Sequence, residues 1–315
     1  MASARFHLPG LRYNYPLNMF WVSLKKKYPD YFREGVEIAS FFGAFPVSLW
    51  NGGRFSNRDQ CDEKFVRMVI KSINGQGIPI RFTYTNSLLT EEDLRDPFCN
   101  LCMEIADNGM NEVIVVSELL EDYIRTKYPS FKINSSTCKE IRSIEDVNAE
   151  LEKDYRTVVL DYNLNNRWEL IDRIKDFNRV EVLVNSLCQP GCPRRGDHYR
   201  NISKNGHIVL ENRNRPADRQ IPVIPWKCEY GDHNCLYTIQ DYPTFVSPDL
   251  IWNEYLPRGI RNFKIEGRTA NLFSLIETYT FFMIKPEHAG MVRILLLNNL
   301  EQAGVLKING PRPSL

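Results

Sequence analysis

Short apolar runs recur along the chain, and most are followed by a polar residue and then by a stretch of helical periodicity. The runs are rich in Val and Ile and mostly continuous rather than alternating, which is typical of parallel strands buried on both faces. They lie at 36–45, 79–86, 112–117, 131–137, 157–163, 180–188, 243–247 and 261–268, and the run at 243–247 is the weakest. The pattern therefore predicts a parallel sheet of eight strands.

Helical stretches fill the gaps between these runs, for example at 62–77, 92–109 and 166–177. Eight strand-and-helix units in roughly 250 residues are typical of a (β/α)8 barrel of the TIM type. An open doubly wound sheet is the alternative, but no glycine-rich dinucleotide fingerprint follows the first run. We predict a single domain over the whole chain, which consists of an N-terminal extension (1–30), the barrel (31–285) and a C-terminal closing helix with a tail (286–315).

The composition is that of an ordinary globular protein. The 315 residues are 43% hydrophobic and 25% charged, and the formal net charge is +1 at pH 7. The chain as a whole is therefore not basic enough to indicate nucleic-acid binding, and any such binding would depend on a local basic patch. No run approaches the roughly 20 apolar residues of a membrane helix, and the start lacks a signal-peptide pattern. We expect a cytoplasmic protein without a membrane span.

Polar residues stand where the predicted strands end. In a parallel barrel these positions meet at the C-terminal mouth, where TIM-type folds place their chemistry. Asn and Ser at such positions can equally cap the helices that follow, whereas a carboxylate inside or beside an apolar run needs a partner. The residues are Arg54, Asn86, Ser117, Asn134, Asp161, Asn163, Asn185, Glu266 and Arg268.

Four of the eight cysteines lie in two short loops that are bent by Pro, Gly or Asn. Cys188 and Cys192 follow the apolar run at 180–188, and Cys228 and Cys235 follow about 40 residues later. In a cytoplasmic protein disulfides are rare, so metal ligands or buried thiols are favoured. Four thiolates suit a [4Fe–4S] cluster, which tolerates irregular spacing, better than a structural zinc with its closer pairs. A cluster, a zinc ion and no metal all remain open, and the cluster is favoured.

The other cysteines and the histidines carry weaker signals. Cys99 and Cys102 form a CxxC inside a helical, apolar stretch, where buried core thiols are favoured over a redox pair. His198 and His233 lie in the cysteine loops, where solvated side chains are favoured over ligands. No Ser-His-Asp motif, HExxH or P-loop is visible.

The segment between the cysteine pairs is locally basic. Either this segment binds an anionic substrate over the mouth, or it is a solvated loop. The sequence favours neither interpretation. Its basic residues are Arg194, Arg195, Arg200, Lys204, Arg213, Arg215 and Arg219.

Part of the C-terminal sequence resembles the end of the barrel in the peptidase U32 family. The stretch FVSPDLIWNEYLPRGIRNFKIEGR (245–268) has that family's order of a Ser-x-Asp-Leu turn, a helix, a Gly and the string Lys-Ile-Glu-Gly-Arg. The four-cysteine arrangement is similar in kind, and ASFFGAFPVSLWNGGR (39–54) stands in the place of the family's first strand and glycine turn. The resemblance implies a TIM-type barrel.

The resemblance also implies a class of chemistry. In several members of the family four cysteines bind a [4Fe–4S] cluster, and some members support oxygen-independent hydroxylation of RNA bases or of a quinone ring. Others carry a peptidase label. Three hypotheses follow for this chain: an iron–sulfur enzyme that modifies a small molecule or an RNA base, a hydrolase of the U32 type, and a non-enzymatic module in which a metal staples the fold.

The first hypothesis assigns roles to particular residues. Glu266 or Asp161 acts as general acid or base, and Lys264 pairs with either of them. Substrate binding is expected from Arg54, Asn86, Asn134, Asn163, Asn185 and Arg268, and the metal ligands are Cys188, Cys192, Cys228 and Cys235. The partners are an unknown small-molecule or RNA substrate and an electron donor or a related subunit.

Overall fold

A computed structural model describes residues 3–52, 61–230, 234–267 and 271–307. In this part of the chain eight parallel strands pair in sequence order and close into a barrel. The strands are β1 (Ala4–Pro9), β2 (Val36–Gly43), β3 (Ile80–Tyr84), β4 (Glu112–Val115), β5 (Lys132–Ser135), β6 (Val158–Val159), β7 (Val180–Leu183) and β8 (Asn262–Lys264). The predicted (β/α)8 architecture is therefore confirmed.

Helices connect the strands and surround them. They are α1 (Tyr15–Lys27), α2 (Glu63–Asn74), α3 (Pro97–Ala106), α4 (Glu118–Lys127), α5 (Ile144–Glu152), α6 (Trp168–Ile171), α7 (Arg195–Asn212), α8 (Pro248–Leu250), α9 (Leu272–Met283) and α10 (Ala289–Gln302). A π-helical turn (Ile251–Tyr255) continues α8. Helix α10 packs on α1 and α9 and is the predicted closing helix.

The segment expected to be an N-terminal extension belongs to the barrel. Strand β1 pairs with β2 on one side and with β8 on the other, so it closes the barrel. The run at 36–45 forms the second strand, and the run at 243–247 is not a strand but leads to Ser247, the N-cap of α8. The predicted number of strands agrees with the structure because one missed strand offsets one false strand.

The hydrophobic core lies between the strands and the helices. The register places Phe82 beside Val113 and Val113 beside Ile133, and these three side chains are at most 3% exposed. Helix α2 begins at the N-cap Asp62, which accepts a hydrogen bond from Phe65 N, and it buries an apolar face. Burial between the strands and the helices explains why the strand residues that face the helices are apolar.

The inside of the barrel is charged, whereas such barrels usually hold layers of branched apolar side chains there. Arg81 bridges Glu112, with an Nε–Oε2 distance of 2.7 Å, and Glu181, while Lys264 Nζ lies 3.2 Å from Glu181 Oε1. All four side chains are buried. Burial alone would raise the pKa of Glu181, but Lys264 and Arg81 lower it to well below its usual value. Two cations and two carboxylates therefore compensate each other inside the barrel.

Candidate functional site at the barrel mouth

Helix α7 lies across the C-terminal mouth of the barrel. In its first turn, Arg195 Nη1 donates to Asp161 Oδ2 at 2.7 Å, just beyond the end of β6. Three turns later, His207 Nε2 lies 3.1 Å from Asn86 Nδ2, beyond the end of β3. Helix α7 therefore contacts strand ends on well-separated sides of the mouth and covers the space between them.

Gly52 lets the loop after β2 approach this helix closely. Its φ is +74°, a backbone conformation that favours glycine. A Cβ atom here would lie 3.2 Å from Asn86 Cα and 3.3 Å from Ser203 Oγ. The contact between the loop, β3 and α7 thus depends on the missing side chain.

Asp161 is fully engaged by its neighbours. It is 1% exposed, and besides Arg195 it accepts from Asn163 N and Asn163 Nδ2 at 2.9 and 2.8 Å. Arg195 also donates to Thr137 O at 2.8 Å, and its guanidinium lies 4.5 Å from the ring centroid of Tyr162. The predicted general base is therefore part of a buried ion pair that fixes the start of α7.

Asn163 connects this ion pair to the first cysteine loop. Its Oδ1 accepts from Gly191 N at 2.7 Å, and Gly191 has a φ of +68°. The neighbouring Tyr162 donates through its hydroxyl to Gln189 O at 3.2 Å. The loop between Cys188 and Cys192 is therefore held from the end of β6.

Asn185 and Glu266 hold the same loop from the ends of β7 and β8. Asn185 Oδ1 accepts from Glu266 N at 2.7 Å, and Asn185 Nδ2 donates to Glu266 O at 3.2 Å. Glu266 Oε2 accepts from Leu187 N at 2.9 Å. Unlike Asp161, Glu266 is only half-buried. The loop thus rests on a half-buried carboxylate.

Three of the other predicted site residues have different surroundings. Lys264 pairs with Glu181 inside the barrel, a partner that the sequence did not indicate. Asn134 also points into the barrel, where its Nδ2 donates to Glu112 Oε2 at 3.0 Å. Ser117 caps α4 by accepting from Leu120 N. Arg54, Arg268 and His233 lie outside the described residues.

Cys188 and Cys192 form the first pair of candidate ligands. Burial raises the pKa of Cys188, and the nearby Cys192 and Glu266 add to this effect, whereas a hydrogen bond with Tyr162 opposes it. Cys192 is 8% exposed. Cys188 is therefore half-buried and Cys192 buried, and the two thiols influence each other electrostatically.

The second cysteine segment folds against the first at two points. Asn234 Nδ2, next to Cys235, donates to Leu187 O at 2.8 Å, next to Cys188. Arg194, two residues after Cys192, donates to Glu229 Oε1 at 2.6 Å and to Lys227 O at 3.3 Å, on either side of Cys228. Both cysteines of the second pair thus lie on segments that contact the first loop.

Cys235 has a surrounding that suits a thiolate. Hydrogen bonds from the backbone N–H groups of Thr238 and Tyr237 and from the Thr238 hydroxyl lower the pKa of Cys235. The distance from Thr238 Oγ1 to Cys235 Sγ is 3.9 Å. Such hydrogen bonds stabilise a sulfur that carries negative charge, whether it is free or bound to a metal.

The four thiols fit a thiolate centre in their type and in their loops. Within the ranges that the structure describes, however, no three His, Cys, Asp or Glu side chains are gathered in an arrangement that holds a metal ion. The contacts of Asn234 and Arg194 join the segments that carry the two cysteine pairs.

A Ser-His-Glu array lies inside the barrel, and no sequence motif indicated it. Ser40 Oγ lies 2.7 Å from His7 Nδ1, and His7 Nε2 lies 3.5 Å from Glu181 Oε2. All three residues are fully buried. Burial, with the charge of Arg81, keeps the pKa of His7 well below its usual value, so the ring is neutral. A nucleophile needs access to a substrate, which this buried serine lacks.

The charged interior was missed although the sequence contains a signal for it. Ionisable residues interrupt the apolar runs at Arg81, Glu112, Glu181 and Lys264. A buried charge requires a partner, so charges in several strands of one barrel indicate a shared interior network. Of these four residues, the sequence pattern pointed only to Lys264, and its expected partner was at the mouth.

Comparison with solved structures identifies a structure of a U32 peptidase as similar to this chain. The TM-score is 0.50 and the sequence identity is 11%, and the match covers 85% of this chain and 94% of the other. At this identity the likeness concerns the fold alone. No family model matches the chain, and no curated protein matches it.

The helices of the barrel are short or carry charged faces. Among those in the described ranges, none combines the length and the apolar character that crossing a bilayer requires.

Proposed function

We propose that this barrel holds a [4Fe–4S] cluster on Cys188, Cys192, Cys228 and Cys235 and uses it to modify a small molecule or an RNA base by redox chemistry. Oxygen-independent hydroxylation is the reaction class that the U32 resemblance suggests. The observation that carries the proposal is the double contact between the two cysteine segments, which are separated in sequence by about 40 residues. Four sulfur ligands on adjoining loops are the donor set that iron–sulfur clusters use.

The bound cluster would supply electron transfer or a binding position for an oxygen-donating substrate. The residues of the chain supply the surroundings. Glu266 and Asn185 hold the first cysteine loop on the ends of β7 and β8. Helix α7 covers the mouth between the ends of β6 and β3, which would limit the access of water to a bound substrate. Exclusion of water strengthens every electrostatic interaction with a bound substrate.

Glu266 is the better candidate for proton transfer. It is half-buried and lies beside the cysteine loop, so a substrate at the mouth can reach it. Asp161 instead positions Arg195, and Lys264 instead pairs with Glu181. We therefore assign the general acid or base to Glu266 alone and treat Asp161 and Lys264 as positioning residues.

A zinc ion on the same four thiolates is the alternative occupant, and it would leave no open position for a water nucleophile. The peptidase hypothesis draws no support from the Ser40, His7 and Glu181 array, because that array is sealed inside the barrel. An electron-donor protein or a related subunit would approach the exposed side of the cysteine loops.

A cysteine substitution series tests this proposal. Each of the four cysteines is replaced by serine, and iron and acid-labile sulfide per chain are measured after anaerobic reconstitution. We expect each variant to lose most of the iron, because each removes one of four ligands. Cys138→Ser is the matched control, since Cys138 is half-buried but outside these loops, and it should keep the wild-type content. Wild-type iron content in all four variants would contradict the proposal, and zinc in place of iron would favour the alternative occupant.

A further inference from the structure

The segment that precedes Cys228 lies along helix α7 in the opposite direction. We call residues 221–229 the strap. Ile221 contacts the C-terminal end of the helix, Ile224 contacts its middle, and Lys227 contacts its start. The strap therefore returns the chain from the end of α7 to the point where Cys192 enters the helix.

Two asparagines of α7 bind the main chain of the strap. Asn212 donates to Ile221 O at 2.7 Å and accepts from Ile221 N at 2.8 Å. Asn205 does the same with Ile224, with distances of 2.8 and 2.7 Å. Asn201 Nδ2 adds a longer contact of 3.4 Å to Ile224 O. Each asparagine amide thus forms the pair of hydrogen bonds with the main chain of the strap that a residue of a neighbouring β-strand would otherwise form.

The spacings of the helix and the strap match. Asn205 and Asn212 are seven residues apart, which is about 10.5 Å along an α-helix. Ile221 and Ile224 each precede a proline and are therefore biased towards extended backbone, in which three residues span about 9–10 Å. The register between the two elements is therefore fixed at two points by hydrogen bonds between asparagine side chains of α7 and the main chain of the strap.

The same stripe of the helix holds the end of the strap through aromatic and charged contacts. The rings of His198 and Trp226 are stacked, with centroids 5.0 Å apart and an interplanar angle of 6°. The guanidinium of Arg194 lies 4.5 Å from the Trp226 ring centroid and donates to Lys227 O and to Glu229. The side chains that hold the strap recur every three, four or seven residues along one face of the helix: Arg194, His198, Asn201, Asn205 and Asn212.

We infer that this stripe of α7 holds the strap in a fixed register and thereby positions Cys228 beside Cys192. This inference rests on the proposed function, because it assigns the stripe to the assembly of the cysteine site. Asn205 and Asn212 act through the strap backbone and not on the metal. A free strap would leave Cys228 on a flexible loop, and the entropy of ordering that loop would oppose metal binding.

The double variant Asn205→Ala/Asn212→Ala tests the inference. We expect far-UV circular dichroism to remain that of the wild type, amide exchange at Ile221 and Ile224 to accelerate, and cluster loss to a chelator to become several-fold faster. Asn148→Ala is the matched control. Asn148 donates to Arg173 O at 3.0 Å and accepts from Lys175 N at 2.9 Å, but its segment carries no cysteine. It should leave the rate of cluster loss unchanged.

A second readout does not require a metal. In metal-free protein, a short bismaleimide should crosslink Cys228 to a thiol of the first cysteine loop, as identified by mass spectrometry, and the double variant should lose this product. If the alanine variant does not fold, Asn205→Asp, which replaces the donor of Asn205 by an oxygen, takes its place. Faster amide exchange with wild-type cluster retention and crosslinking would overturn the inference. A wild-type chain that binds neither iron nor zinc would overturn the proposed function. In that case the crosslinking yield alone would test whether the stripe of α7 positions Cys228.

Discussion

The ion pair between Asp161 and Arg195 joins the end of β6 to the start of α7. Their side chains are 0% and 2% exposed, and the charged atoms are 2.7 Å apart. Arg195 further bonds to Thr137, so the guanidinium has partners on two strand ends. Removal of one charge from such a pair leaves the other buried without compensation.

Asp161→Asn should therefore lower the free energy of unfolding by about 3–5 kcal/mol, because Arg195 loses its counter-charge. Urea denaturation followed by circular dichroism measures this change. The double variant Asp161→Leu/Arg195→Met is the control, and it should recover much of the loss because no unpaired charge remains. Unfolding of Asp161→Asn at the wild-type urea concentration would show that the pair does not hold α7.

His7 is a second buried ionisable residue with a measurable consequence. Arg81 from β3, Glu181 from β7, Lys264 from β8 and Arg5 from its own strand surround the ring. Burial, followed by the charge of Arg81, lowers the pKa of His7 well below the value of about 6.5 that the unfolded chain has. Below about pH 6.5 the unfolded state thus binds a proton that the folded state does not bind, and stability decreases as the pH falls.

The unfolding free energy should accordingly decrease as the pH falls from about 6.5 to 5, with one proton contributing up to about 1.4 kcal/mol per pH unit. His7→Gln removes this proton and should flatten the slope by that amount. Urea denaturation of both proteins at several pH values measures the difference. Parallel slopes for the two proteins would contradict the assignment of His7 as a buried neutral ring.

The sequence predicted which side chains stand at the mouth better than it predicted their partners. Asp161, Asn163, Asn185 and Glu266 lie near the cysteine loop because each follows a strand, and that position is local information. Their partners come from distant parts of the chain. Arg195 is 34 residues from Asp161, and no periodicity in one sequence encodes such a contact.

Helix α3 shows that burial determines the reactivity of a CxxC pair. Cys99 and Cys102 lie on the buried face of this helix, and both are fully buried. Burial raises the pKa of both thiols well above the usual value, which makes them poor nucleophiles. Cys235, in contrast, is exposed and has a lowered pKa.

Labelling of metal-free protein with iodoacetamide should follow this order. Cys235 is expected to react first, because its thiolate is accessible and stabilised by hydrogen bonds from Thr238. Cys99 and Cys102 should react only after denaturant is added. Mass spectrometry of peptides at successive times measures the order. Reaction of either α3 cysteine in native protein as fast as that of Cys235 would contradict the buried placement.

The elements that the sequence misassigned have physical explanations. Strand β1 is six residues long, contains His7 at its centre and ends at a proline, so it does not form an apolar run. His7 is tolerated there because Ser40 forms a hydrogen bond with its Nδ1 atom and Glu181 lies beside its Nε2 atom. The run at 243–247 is apolar because Phe245 and Val246 are buried, yet only one backbone hydrogen bond, from Val246 N to Val184 O, ties it to the β7 segment.

At the scale of the whole molecule, the barrel depends on β1 for closure. This strand is hydrogen-bonded to both β2 and β8, so its loss would expose two strand edges at once. The barrel fold was predictable because repeated strand-and-helix units specify it locally. The role of β1 was not predictable, because closure of the barrel joins residues that are far apart in the sequence, such as Arg5 and Asn262.

Deletion of residues 1–30 tests this view of the fold. An N-terminal extension outside the barrel would be dispensable, whereas loss of β1 and α1 should abolish cooperative thermal unfolding. Scanning calorimetry and near-UV circular dichroism measure the effect. A truncated chain that unfolds in a sharp transition near the wild-type temperature would contradict the closure of the barrel by β1.

The central proposal is that four sulfurs from two contacting loops bind one iron–sulfur cluster at the barrel mouth. Its most direct test is the absorption spectrum of protein purified without air, together with iron, sulfide and zinc analysis of the same sample. We expect brown protein with a broad band near about 400 nm and about four irons and four sulfides per chain, as a cubane cluster requires. Colourless, fully folded protein that takes up neither iron nor sulfide on anaerobic reconstitution would contradict it.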